Sequence, residues 1–518
     1  MSFGALRQRL RALLLPTELP QLPLSAGRDA LFVRLVGLLY VLVFASLWPQ
    51  LLGLFGTQGL YPTHLVLGSV AADLGPRKYL LLPTALWLSP TDTALHLCCA
   101  AGILAGLSVL LLRLVWPSLL LAWLCHLSLL SVGGAFLSFQ WDALQSELGL
   151  LLLLAVPVRY RRPEPLVLIQ LGRWLLVWLL VRVLFGAGFV KLASGDPTWR
   201  SLTALHHHFE TQPLPTLLGY YAHALPSIIK RSLVVYALLC ETVLPPLFLL
   251  PRLRPYLLGP TVLLQLGILL TGNYGYFNLQ VLVLCLLLSP PHWLSPPHWL
   301  SRLVPVPTAR AAEDEDDPSQ HRLPPHLLTA LPRLAAALIL FAASIGHLLL
   351  TLRIDPQLPS PIRRAMQVTA PIHAVSHYGP FAAMTTTRPE LILEGSQDGL
   401  TWREYSFRYK PGDLQRAPRW NAPHQPRLDW QMWFAALGSP KDSPWLEVLL
   451  LRLLEGSPDV LWLFDHDPFA GQRPRYLRIT HYQYRFTTLA ERKQTGAYFV
   501  RHTPLPYVSP VGMTALDP

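Results

Sequence analysis

The chain has 518 residues, of which 52% are hydrophobic and only 14% charged, and its 42 Lys and Arg against 30 Asp and Glu give a formal charge of +12. Globular domains carry roughly 25% charged residues, so a chain this poor in charge cannot cover its own surface with polar side chains, and an ordinary soluble protein is excluded. In such a chain a cationic excess reads as bias in the cytoplasmic loops rather than as a nucleic-acid footprint. Five cysteines without a CxxC pattern exclude a disulfide scaffold and a thiol redox motif.

Arg7, Arg9 and Arg11 precede the first apolar run with no small-residue cleavage site after it, which predicts a cytoplasmic segment 1–27 and an uncleaved first span. A spanning helix takes about 20 mostly apolar residues. Residues 28–352 offer about nine such spans, centred near Leu39, Ile103, Leu124, Leu150, Leu180, Ala237, Leu264, Leu282 and Leu340. The stretch PRKYLLLPTALWL (76–88) is a candidate for the membrane interface. With the N-terminus inside, the inner loops hold Arg113, VRYRRPEP (158–165), PRLRP (251–255) and a linker, 289–325, with a doubled SPPHWL and the solvated acidic run EDEDD. The outer stretches are then FQWDALQSE (139–147), KLASGDPTWRSLTALHHHFETQPLP (191–215) and TGNYGYFNL (271–279), followed by an outer C-terminal domain, 353–518. Lys191, Arg200, Lys230 and Arg231 run against the positive-inside pattern.

Ionisable residues inside spans cost about 2.5–3.5 kcal/mol on insertion scales and are functional candidates by default. Arg182 and Glu241 lie near the middle of their spans and are expected to pair across neighbouring helices. Glu147 sits nearer the outer surface, beyond Asp142, and His126 and Gln265 are expected to hydrogen-bond between helices. His206, His207, His208 and Glu210 carry metal-ligating groups, but no further histidine at an HExxH-like spacing completes a set, so a polar outer-loop role is expected and no metal site. No Walker loop, GxGxxG or GxSxG occurs; nucleotide and serine-hydrolase chemistry fall away, and no cofactor is expected.

The C-terminal part reads as β-rich, a sandwich or jelly roll with helical insertions. LILEGSQDGLTWREYSFRYK (391–410) predicts a hairpin turning at Gln397, Asp398 and Gly399, with Tyr405, Phe407 and Tyr409 on one face of its second strand. Residues 476–486 and 496–502 predict further strands. Residues 426–437 and 443–456 predict helices, the second capped by Ser443 and stopped by Gly456.

GAGFVKLASGDPTWRSLTALHHHFETQPLP, TGNYGYFNL, AAMTTTRPELILEGSQDGLTWREYSFRYKPGD and APHQPRLDWQMWFAALG together resemble the lipase maturation factor family, in one order and across Arg28 to Tyr507. Two departures from the family pattern are SPPHWL at the start of the last inner loop and His377 before Tyr378 and Gly379. The resemblance implies a polytopic membrane protein, resident in the endoplasmic reticulum in eukaryotes, that helps dimeric lipases such as lipoprotein lipase fold and assemble. The outer stretches themselves offer a candidate motif of Asp142, Glu147, Asp196, Trp199, His208, Glu210, Asn273 and Asn278, and the resemblance implies a client-binding C-terminal domain in which Trp430 and Trp433 are either exposed client contacts or part of the domain core. Partners would be a secreted lipase or other exported client and membrane lipid. The lack of outer-domain cysteines and of a retention signal after Pro518 suits a bacterial homologue in the inner membrane. FVKLASGDPTW is also distantly similar to a segment of vitamin K-dependent gamma-carboxylases, which would make Lys191 a catalytic base. That enzymatic reading ranks second, because Lys191 alone matches and no quinone site can be read.

Overall fold

A computed structural model describes residues 27–158, 166–290, 293, 325–354 and 357–513. The N-terminal arginines, most of the doubled SPPHWL and the acidic run lie outside the described residues. Among the described residues, the helices of seven or more residues in the first part are α1 (Gly27–Leu47), α2 (Thr63–Leu74), α3 (Asp92–Leu110), α4 (Val115–Val132), α5 (Gln140–Ala155), α6 (Leu166–Ala193), α7 (Ala204–Thr211), α8 (Leu217–His223), α9 (Ser227–Leu238), α10 (Arg254–Thr271), α11 (Phe277–Cys285) and α12 (Pro325–Thr351). Five stretches, within or including α1, α3, α4, α6 and α12, are long and apolar enough to cross a bilayer. The other four expected centres also fall in or beside helices, α5, α9, α10 and α11, each shorter or less apolar.

The bundle has two distinct ends. Ser46, Asp142, Asn273 and Tyr276 all bond to residues in 421–427 and so share one end. At the other, Arg28 donates to the Ser289 carbonyl at 2.7 Å, Arg173 pairs with Asp29 at 2.6 Å, and Arg333 donates to the Val156 carbonyl at 2.8 Å. In lipid, helices gain little from hydrophobicity against each other, so close packing at small residues takes over. Gly37 of α1 shows this: a Cβ there would lie 2.5 Å from the Leu110 nitrogen and 2.8 Å from the Gly106 carbonyl oxygen of α3.

The C-terminal part adds α13 (Ser360–Thr369), β1 (Arg388–Ser396), β2 (Arg403–Glu404), β3 (Ser406–Phe407), α14 (Arg427–Ala436), α15 (Trp445–Glu455), β4 (Phe464–His466), β5 (Tyr476–Phe486), α16 (Leu489–Thr495) and β6 (Phe499–Val511). The antiparallel order β2-β1-β5-β6 forms a four-stranded sheet, and β3-β4 a separate pair. A jelly roll needs about eight strands in two facing sheets, and the six described strands do not form one. The hairpin turn is where it was expected, closed by bonds from the Leu400 and Thr401 nitrogens to Asp398 at 2.8 and 2.7 Å. Its second strand is not: the chain pairs with β1 for two residues, then leaves at Tyr405 to pair with β4. Gly456 ends α15 in the left-handed region at φ 72°, whereas Pro444 rather than Ser443 stands at its N-cap. Proline is tolerated at sheet edges, where no ladder N–H is needed. β6 is an edge strand, and its Pro504, Pro506 and Pro510 accompany register shifts against β5.

Gly37→Val is expected to lower stability by about 1–3 kcal/mol through overpacking at α1–α3. Gly267→Ala, with nothing within 4 Å of the new carbon, is expected to be neutral or mildly stabilising. Thermal melts of the detergent-solubilised protein followed by size-exclusion fluorescence check the pair.

Candidate functional site

The outer-loop motif residues converge on a seam where the bundle meets the C-terminal part. Asp142, in the first turn of α5, accepts from Arg427 Nη1 at 2.7 Å and Nη2 at 2.8 Å, and from the Tyr276 hydroxyl. Arg427 also donates to the Phe136 carbonyl at 2.7 Å, and both charged side chains are fully buried. A carboxylate suits a helix N-terminus, whereas a cation there is disfavoured; Arg427 opens α14 and holds that position against the dipole by this bidentate pair.

Glu147, further along α5, pairs with Arg182 of α6 and accepts from the Tyr378 hydroxyl at 2.7 Å and the Ser376 nitrogen at 3.2 Å. Arg182 donates in turn to the Ser376 carbonyl at 3.0 Å. The expected Arg182–Glu241 pair is therefore corrected: Glu241 pairs with Lys191, in the last turn of α6. The cause is local geometry. Pro245 and Pro246 cannot donate to the preceding turn, and α9 widens ahead of them into a π turn, Leu239–Val243, that carries Glu241. Gly188 lets this turn touch α6, since a Cβ there would lie 2.7 Å from the Glu241 carbonyl carbon. Lys191 is buried in that pair, its amine 5.3 Å from the Trp199 ring centroid. The side chain is thereby enclosed between Glu241 and Trp199.

Asp196 caps the turn at Pro197–Arg200 through Thr198 N at 2.7 Å and accepts from the Met384 nitrogen at 2.8 Å. Burial opposes its ionisation, but these bonds outweigh burial and hold the carboxyl below its ordinary value. Trp199 donates to the Phe381 carbonyl at 3.0 Å. The histidine run is helical rather than extended, so its rings diverge: His206 meets Ser227, and His208 meets the Tyr274 hydroxyl at 3.0 Å. Glu210 accepts from the Phe486 nitrogen at 2.8 Å and lies 3.6 Å from His223. Asn273 is a hub, donating to the Leu214 and Arg419 carbonyls at 3.1 and 2.8 Å and accepting from the Asn421 nitrogen at 2.8 Å. Asn278 stays within the bundle, bonded to Gln265 at 2.8 Å, and His126 meets the Asp142 carbonyl at 3.0 Å. Among the described residues no three His, Cys, Asp or Glu side chains stand close enough to hold a metal.

Of the two readings of Trp430 and Trp433, the buried one fits: they are 4% and 7% accessible. Trp430 packs edge-on against Trp141 and Phe139, at 4.9 and 5.5 Å between centroids, and Trp433 donates to the Thr211 carbonyl at 3.0 Å. The face of α14 turns its aromatics into the bundle mouth. Sequence reasoning missed Arg388, which donates from β1 to the Gln212 and Pro213 carbonyls at 2.6 and 3.1 Å while paired with Glu390 at 2.7 Å. It also missed Gln50, bonded to the Gln425 carbonyl and the Arg427 nitrogen, each at 2.8 Å.

Two family descriptions match this chain: a lipase maturation factor transmembrane domain over residues 28–294 and a lipase maturation factor C-terminal domain over 374–509. Lipase maturation factor 2 of Homo sapiens is 35% identical, covering 90% of this chain and 80% of its own length, and the Gallus gallus protein of that name is 34% identical. Lipase maturation factor 1 of Homo sapiens is 29% identical over 94% of this chain and 88% of its own. The chain belongs to the lipase maturation factor family. No solved structure matches it. In this lipase maturation factor, then, the two family domains meet along the polar seam, and the protein is an integral membrane protein.

Breaking a buried pair on one side costs about 3–5 kcal/mol, because a charge is left uncompensated. Arg427→Ala and Asp142→Asn are each expected to lose that much, and Arg427→Met with Asp142→Leu to regain most of it; thermal melts and protease access to 380–430 measure both. The seam should also loosen in acid. Burial, with Lys191 nearby for His208 and Lys230 nearby for His223, pushes both imidazoles down to about 4 from 6.5. A depressed histidine contributes its full stability above 6.5 and loses it as pH falls towards 4. His208 abuts Phe381 and His223 abuts Phe486. Hydrogen exchange at 378–386 and 484–488 should therefore be slow and flat above pH 6.5, after correction for intrinsic rates, and lose protection between pH 6 and 4.

Proposed function

We propose that the protein is a nine-span membrane maturation factor whose C-terminal part, 353–518, stands outside the cytoplasm and assists a secreted lipase or another exported client. The membrane is that of the endoplasmic reticulum in a eukaryote or the inner membrane in a bacterium. The observation that carries this reading is the match to lipase maturation factors through both domains at once, covering 80% of the human relative's own length. The seam supports it: Asp142 pairs with Arg427 and the Glu147–Arg182 pair bonds Ser376 and Tyr378, so these charges hold the C-terminal part against the bundle, an arrangement suited to presenting a surface. Contacts at the two bundle ends support crossing by part of this set: α1 runs from Arg28 and Asp29 at one end to Ser46 at the other, and α5 from Asp142 to the turn at Val156 that Arg333 meets. The client surface is then the outward side of the C-terminal part, where Leu400 and Trp462 are 85% and 60% exposed.

The test is rescue. In cells lacking their own maturation factor, this chain is expected to raise the specific activity of a co-expressed secreted dimeric lipase without raising its transcript. Leu400→Asp with Trp462→Ser, folded by thermal melt, is expected to reduce that rescue several-fold. An unchanged lipase activity with the wild-type chain present in the membrane would overturn the reading.

A further inference from the structure

Residues 63–88 form an element that the seam does not use and that no spanning helix absorbs. α2 is 12 residues long, about 18 Å at 1.5 Å per residue and short of a hydrocarbon core of about 30 Å. Gly75, at φ 52°, turns the chain before Pro76, and a short helix Lys78–Leu81 follows. The element is nonetheless fixed to the bundle. Thr84 donates to the Ser128 carbonyl, the Ala85 nitrogen to the Ser128 hydroxyl and Ser131 to the Pro83 carbonyl, each at 3.0 Å, while Leu67 and Leu86 are buried. It departs from the end of the bundle that carries the C-terminal part: just before it, Gln58 accepts from Arg452 at 3.1 Å and, through its carbonyl, from Ser457 at 3.1 Å.

What this anchored element leaves uncovered is apolar. Leu65, Tyr79, Leu80 and Leu88 are exposed, Leu80 to 77% and Leu88 to 93%. Beside them Lys78 holds its amine 4.6 Å from the Trp87 ring centroid and 5.1 Å from that of Tyr79. Neither Lys78 nor the exposed Arg77 makes an ion pair among the described residues, and Asp73 is the one carboxylate between 63 and 88. Trp and Tyr beside cations whose stems lie along apolar surface are the chemistry of the headgroup layer. An exposed apolar face packed beside the membrane-spanning helix α4 takes acyl chains, and unpaired cations at its rim take phosphate.

We propose that residues 63–88 are an interfacial anchor lying in the headgroup layer on the side of the bilayer that carries the C-terminal part, with Arg77 and Lys78 binding lipid phosphate. The proposal rests on the membrane reading and not on the identity of a client. It gives the C-terminal part a second reference to the lipid surface, beside the bundle itself.

The test uses the full chain in proteoliposomes, with an environment-sensitive fluorophore at Leu80→Cys or Leu88→Cys. Leu104→Cys on α3, 67% exposed, is the deep control, and Leu400→Cys, on the hairpin turn, is the aqueous one. Probes at 80 and 88 are expected to emit blue-shifted from the probe at 400 and to be quenched more by a spin label near the headgroup than by one at the chain terminus. Adding phosphatidylglycerol to phosphatidylcholine vesicles should enlarge the shift, and Arg77→Gln with Lys78→Gln should abolish that increment. Emission matching the aqueous control, with the probe at 104 still deep, overturns the anchor while leaving the membrane reading intact; quenching strongest at the chain terminus overturns it as well. A phosphatidylglycerol increment that is absent, or that survives in the double variant, overturns the phosphate assignment.

Discussion

The structure depends on one buried ion pair. Asp142 and Arg427 come from opposite sides of the seam, 285 residues apart, and each is sealed from solvent. Removing either ion from water costs several kcal/mol, which only a matched partner offsets. Bidentate geometry, the Tyr276 hydroxyl and the Phe136 carbonyl complete the match. Neither half of the chain can therefore reach its packed state with its charge neutralised unless the other half is in place, so the two family domains are coupled in folding and not merely joined in sequence.

The rest of the seam follows the same logic with weaker bonds. Gln50, Asn273, Arg388 and Trp433 reach across it to backbone groups rather than to side chains. A backbone carbonyl of an irregular loop near the membrane has no helix partner and needs one from elsewhere. Side chains that satisfy it set the position of the loop as well as its energy. This explains why the segments around Thr211–Pro213 and Arg419–Gln425 hold a defined course: Gln212, Pro213 and Arg419 give their carbonyls to side chains from the far side of the seam. The C-terminal part is fastened by these bonds as well as by its covalent link, and a partner would meet a body of fixed orientation.

The legible features were those written in composition and local pattern. Apolar runs marked the helices, Asp398 and Gly399 marked the turn, and polar residues in the outer stretches marked Asp142, Glu147 and Asn273. Pairing was not legible. Depth along a span aligned Arg182 with Glu241, but depth says nothing of which way a helix face points, and α5 lies on the Arg182 side while the π turn carries Glu241 to Lys191. Trp430 and Trp433 stayed open between surface and core because an amphipathic helix beyond the last span has no visible neighbour in sequence; its neighbour is the mouth formed by Phe139 and Trp141. One signal was available: a cation opening a helix, as Arg427 does, is electrostatically unfavourable and asks for a carboxylate partner. The break at Tyr405 had none, since alternation continues through it while the chain changes sheets.

Lys191 shows how a motif residue can owe its place to structure. The enzymatic reading placed Lys191 at a substrate site. Gly186 admits the Tyr378 backbone against α6 and Gly188 admits the π turn, so the small residues of GAGFVK make room for the two elements that surround the end of that helix. Lys191 then closes on Glu241, with Trp199 over it and Trp199 in turn bonded to Phe381 of the C-terminal part. The run of residues that gives the strongest family likeness is thus continuous with the seam. Gly186, Asp196 and Trp199 face the C-terminal part at Tyr378, Met384 and Phe381, whereas Gly188 and Lys191 pack against the π turn inside the bundle.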